Sequence, residues 1–172
     1  HSGLNGTSYW SGSSVVYDAS TGVWTGGTSS TYTTTIVDVG DVYGEWLQIE
    51  LEEKISYAYS HIYAPSDYVL RAPRNGFIVG GNSSTGPWYP LHRFVDKFRE
   101  ESNETIAYVP DAPSDTPYRY IRIVIEALYS STGGYAGIDQ WDIYGVPEYD
   151  PGAHGTDVIV RSVPNVPNTE WL

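Results

Sequence analysis

The stretch 44–64, Gly-Glu-Trp-Leu-Gln-Ile-Glu-Leu-Glu-Glu-Lys-Ile-Ser-Tyr-Ala-Tyr-Ser-His-Ile-Tyr-Ala, restricts the fold more than any other part of the chain. Leu47, Ile49 and Leu51 alternate with Trp46, Gln48 and Glu50, which is the period of a strand with one buried face. The charged segment Glu52-Glu53-Lys54 reads as a short turn into a second run rich in Ile and Tyr. The stretch therefore predicts two consecutive central strands of an antiparallel sheet.

Further strand-like runs follow the same logic. Ser14–Tyr17, Tyr32–Val39, Gly76–Gly80, Trp88–Val95, Thr105–Val109 and Ile138–Val146 are short, β-branched or aromatic, and separated by Gly- and Pro-rich turns. Tyr118–Leu128 is the second strong strand, with Ile121, Ile123 and Ile125 on the inward face. No helix-length amphipathic run is evident. Eighteen Gly, eleven Pro and 15% aromatic residues fit this reading. The predicted class is all-β, an antiparallel β-sandwich of about eight strands. Residues 1–13 form a polar lead-in, 14–146 the sandwich, and 147–172 a linker and extended C-terminal arm. Trp171 and Leu172, in an arm without an obvious core of its own, are candidate anchors into a neighbouring subunit.

A formal charge of −12 disfavours nucleic acid and anionic membranes as partners. There is no Cys, hence no disulfide framework, and no apolar run approaches the ~20 residues that span a bilayer. A chain without Met is expected to be a processed form or a segment of a longer protein. Three Asn-x-Ser/Thr sequons, at Asn5, Asn82 and Asn103, point to a secreted or surface glycoprotein.

Four pieces then line up: Gly44–Leu51; Phe77-Ile78-Val79-Gly80-Gly81-Asn82 followed by Trp88; Tyr118–Ile123; and Ile138–Gly145. In this order and spacing they resemble the discoidin, or coagulation factor 5/8 type C, family over residues 14–146. They also resemble the discoidin-type domains in surface proteins of large DNA viruses. The resemblance implies the galactose-binding-domain-like jelly roll, a module without chemistry that binds glycans, lipid head groups or proteins through loops at one end. Animal members carry a Cys pair tying their ends together, which this chain lacks. Carbohydrate-binding members often hold a structural Ca²⁺. Asp18 stands at its early ligand position, but Gln140 occupies the late Glu position, and an amide oxygen is the weaker ligand. No other cofactor is implied.

The residues offer no catalytic constellation. His1, His61, His92 and His154 have no zinc-ligand spacing, and there is no nucleophile elbow, P-loop or Cys nucleophile. The chain is therefore read as a non-enzyme. Glycan binding needs aromatic faces and planar donors and acceptors. The loop 65–75 supplies Tyr68, Arg71, Arg74 and Asn75, and the loop 129–135 supplies Tyr129 and Tyr135. The competing reading is that these aromatics cover the end of the sandwich while the arginines pair with acids. Trp24, Trp46, Trp88 and Trp141 are expected in the core, and His61 half-buried on a strand. Two functions stay open: a glycan-binding or adhesion module on a cell or virion surface, or a structural subunit of a fibre, appendage or capsid joined to neighbours by its arms.

Overall fold

The computed structural model describes residues 6–10, 16–63, 71–97, 105–129 and 136–148. Among these residues nine strands run in chain order: β1 (Gly6–Trp10), β2 (Thr33–Ile36), β3 (Gly40–Tyr43), β4 (Glu45–Tyr63), β5 (Pro73–Gly81), β6 (Tyr89–Phe94), β7 (Thr105–Tyr108), β8 (Pro117–Leu128) and β9 (Gln140–Pro147). Residues 6–10, which the sequence places in the lead-in, form β1 against β4.

The stretch 44–64 departs from its prediction. It is one 19-residue strand, β4, and the chain does not reverse at Glu52–Lys54. Glu50 pairs with Tyr120 and Ile55 with Tyr118, so four residues of β4 bulge opposite the single residue Arg119. Arg119 Nη1 donates to Glu52 O at 3.2 Å, and Glu148 N donates to Lys54 O at 2.7 Å. These donors satisfy carbonyls that the bulge takes out of the ladder, so no turn is needed to hide them.

The bulge lets β4 serve two layers of one hydrogen-bonded seven-stranded sheet. Its first half lies between β1 and β8 in a sheet ordered β1-β4-β8-β5-β6, and its second half lies between β7 and β9. Between the layers, Ile121, Ile123 and Ile125 of β8 and Ile78 of β5 pack with Ile55, Tyr57 and Ile62 of β4 and Tyr108 of β7, all buried. The inward alternation of β8 is as the sequence predicts. A strand that bends from one layer into the other closes the corner of the sandwich.

The run Tyr32–Val39 is a strand only over β2, Thr33–Ile36; the chain then turns through Asp38 (φ 62°) and Gly40 (φ 101°) into β3, which pairs antiparallel with β2 as a hairpin. The hairpin lays Ile36 and Val42 on the outer face of the five-stranded layer, over Phe77, Val79, Trp88 and Val124. This second apolar cluster explains why both faces of β5 and β8 are hydrophobic.

Candidate functional site

One end of the sandwich gathers several separated chain segments. Tyr17 begins the construction: its hydroxyl donates to Ile125 O at 3.0 Å and accepts from Glu45 N at 3.3 Å, bridging the last pair of β4 and β8. The turn that follows is built around Asp18, whose Oδ1 accepts from Ser20 N, Ser20 Oγ, Thr21 N and Thr21 Oγ1 at 2.7–3.0 Å. These donors hold the Asp18 carboxyl well below the usual carboxylate range. Gly22 closes the turn at φ 71°, and a Cβ there would meet Leu128 O at 2.4 Å. Leu128 N in turn donates to Gly22 O at 2.8 Å.

The Asp18 turn thus lies on the end of β8, and Arg74 of β5 reaches it, Nη2 donating to Thr21 O at 3.0 Å. Tyr129 N donates to Ala72 O at 3.1 Å, and Gly137 N to Arg71 O at 3.0 Å. Ala136 N donates to Glu45 Oε2 at 3.0 Å, and Asp96 N to Asn75 Oδ1 at 2.8 Å. Arg71, Arg74, Asn75 and Tyr129 therefore belong to one loop cluster. Arg71 is buried, at 9% exposure, whereas Arg74, Asn75 and Tyr129 are half-exposed. Among the described residues, Arg74 Nη1 and Asn75 Nδ2 have no partner, and Arg74 Nε is buried without one.

The other sequence candidates fall elsewhere. Tyr68, Tyr135, Asn5, Asn103, Trp171 and Leu172 lie outside the described residues. Asn82 is exposed in the turn after β5, where Nδ2 donates to Pro117 O at 3.3 Å and Oδ1 accepts from Arg119 N at 3.1 Å. Asp18 directs Oδ1 to the donors of its own turn, and no group of three His, Asp or Glu side chains that could hold a metal exists among the described residues. Gln140 turns its amide to Asp142, Nε2 to Oδ1 at 2.8 Å. His61 is half-buried against Tyr59 and Tyr144 on the outer face of β4 and β9.

A second feature escaped the sequence reading. Trp88 is buried in the second apolar cluster, with half-buried Trp46 packed against it, and neither belongs to the larger core cluster. They stand on the outer face of the five-stranded layer with Arg122 between them, its Cζ 3.9 Å from the Trp46 ring and 4.1 Å from the Trp88 ring. Arg122 Nε and Nη2 donate to Gln48 Oε1 at 3.1 and 2.7 Å, and Nη1 to Thr34 Oγ1 at 3.1 Å. The signal was present in the β8 alternation: with Ile121 and Ile123 inward, Arg122 must share the outer face with Trp46 and Gln48 across the ladder.

No protein-family model and no curated protein matches the chain by sequence. Among solved structures, chitosan-binding module 1 of a chitosanase/glucanase from Paenibacillus sp. IK-5 matches with a TM-score of 0.50 at 14% identity. The match covers 83% of this chain and 97% of that one. The family 32 carbohydrate-binding module of NanJ from C. perfringens, in complex with galactose, matches with a TM-score of 0.50 at 15% identity, over 80% and 92% of the two chains. The fold is discoidin-like. At this identity the likeness is one of architecture, and it spans nearly the whole of both modules. No helix among the described residues is long and apolar enough to cross a membrane.

Proposed function

We propose that this discoidin-like domain is a non-catalytic carbohydrate-binding module, extracellular or exposed on a cell or virion surface, whose loop cluster around Arg71–Asn75 receives a glycan. The observation that carries this reading is the fixed yet unsaturated state of Arg74 and Asn75. Each is anchored through one polar atom, Arg74 to Thr21 O and Asn75 to Asp96 N, while Arg74 Nη1 and Asn75 Nδ2 keep donors without described partners. Anchored planar donors lose little entropy on meeting sugar hydroxyls. Tyr129 beside them offers a ring for a sugar C–H face, and Tyr68 and Tyr135 are assigned the same role. Two proteins of this fold are described as chitosan-binding and as complexed with galactose, which supports a saccharide as the ligand class.

A glycan array followed by titration calorimetry tests the reading. Arg74→Ala and Asn75→Ala are expected to weaken the best ligand about tenfold each, the worth of one well-placed hydrogen bond. Unchanged affinity in both variants, or no saccharide bound by the wild type, defeats the proposal.

A further inference from the structure

Beneath the β2–β3 hairpin and the turn 82–88, a cavity of about 510 Å³ opens beside the Trp46–Arg122–Trp88 stack. This volume lies in the range of small-molecule sites. Ser30, Thr33, Thr35, Ser84 and Thr85 share its lining with Trp46 and Trp88, and Arg122 is its one charged lining residue; the Thr33 and Thr35 hydroxyls already donate to Ser29 O and Asp41 Oδ1.

Arg122 is 6% exposed, and among the described residues it makes no ion pair. Its acceptors, Gln48 and Thr34, are neutral and occupy three of the five guanidinium N–H groups. Burial pushes its pKa down to about 10, so the group still carries its charge at neutral pH. A buried cation with neutral partners is costly, and two stacked indoles offset only part of that cost. Surface arginines of this chain behave otherwise: Arg93 pairs with Glu126 and Arg119 with Glu50. The protein therefore keeps a positive charge without an anionic partner at the wall of a cavity lined by Ser and Thr residues and by the half-buried Trp46. An anion completes it electrostatically, the hydroxyl-bearing lining suits a polyhydroxylated ligand, and Trp46 suits one with C–H faces.

The geometry points to a second ligand site, separate from the loop cluster and independent of it, that binds a monosaccharide bearing a carboxylate, with Arg122 as the carboxylate receptor and the half-buried Trp46 as the flanking ring, while buried Trp88 backs the guanidinium.

The test titrates the whole chain with sodium glucuronate, glucose and inorganic sulfate, while two-dimensional NMR follows the indole Nε1–H signals of Trp46 and Trp88. Glucuronate is expected to bind at least about tenfold more tightly than glucose and to shift both indole signals. Sulfate is expected to bind more weakly than glucuronate. Thr85 lies in an exposed turn at the rim, so Thr85→Trp is expected to fill the cavity with the fold intact, and to abolish the effect. Arg74→Ala is expected to leave it unchanged. The proposal is overturned if glucuronate does not bind, if glucose or sulfate matches it, or if folded Thr85→Trp binds it normally. Loss of glucuronate binding in Arg74→Ala but not in Thr85→Trp overturns it as well, and leaves the loop-cluster reading standing. Failure of neutral glycans at the loop cluster, with glucuronate still bound here, separates the two in the other direction.

Discussion

Replacing Tyr17 by Phe removes a single oxygen atom and should be among the more damaging conservative changes available. The ring is 3% exposed and packs edge-on against Trp24 at 5.4 Å, so Phe preserves its shape and leaves almost no cavity. What disappears is the hydroxyl that Glu45 N donates to and that donates to Ile125 O. Each such hydrogen bond is worth about 0.5–1.5 kcal/mol, and a buried group stripped of its partner costs about 1–3 kcal/mol. Water cannot readily replace the oxygen, because the backbones are already tight there: a Cβ on Gly44 would meet Ile125 O at 2.0 Å. The expected destabilisation is about 2–6 kcal/mol, the sum of two lost bonds and one stranded group. For a chain of this size that lowers Tm by roughly 4–24 °C. Urea unfolding followed by Trp fluorescence reads it directly, with an unchanged m-value showing that the two end states are the same. A loss below about 0.5 kcal/mol, the scatter of ordinary surface changes, would show that the Tyr17 bridge contributes nothing and that the loop end is held by other means.

Two further outcomes follow from packing and protonation. Gly76→Ala would bring a Cβ to 2.0 Å from Val124 O and 2.8 Å from Phe94 Cζ, so it should cost about 1–3 kcal/mol or more in urea unfolding; wild-type stability would contradict the observed approach of β5 and β8. His92 is held neutral chiefly by burial and secondarily by Lys97, with Asp111 opposing, so its folded pKa lies below its unfolded one. Its contribution is therefore complete above about pH 6.5 and is lost as the pH falls through the folded value. The urea midpoint of the wild type should fall between pH 7.5 and 5 by more than that of His92→Phe; equal slopes for the two proteins would refute the assignment.

Much of this architecture was legible from side-chain alternation, because a one-residue register slip would turn every Ile of Tyr118–Leu128 to the wrong face. Ile121, Ile123 and Ile125 read correctly for that reason, and with them the layered fold. Glu52-Glu53-Lys54 read incorrectly because a charged, exposed triplet has the same composition whether the chain reverses or bulges. Arg119 and Glu148, 65 or more positions away, supply the donors that let the strand continue. Arg71, Arg74, Asn75 and Tyr129 were singled out by residue type alone. Their assembly depends on bonds such as Arg74 to Thr21 and Gly137 to Arg71, which no local pattern encodes.

By itself, then, the order of residues determined the period-two strands, the buried face of β8 and an all-β class, since these follow from the pleat and the burial of apolar area, both local properties of a strand. Only the tertiary structure decided that 44–64 is one bent strand shared by two layers, and that the loop ends meet. It also decided that Trp46, Trp88 and Arg122 line a cavity outside the main core. Those outcomes depend on which distant donor reaches which carbonyl and which strand face is left for the β2–β3 hairpin to cover, and both are fixed when the strands pair.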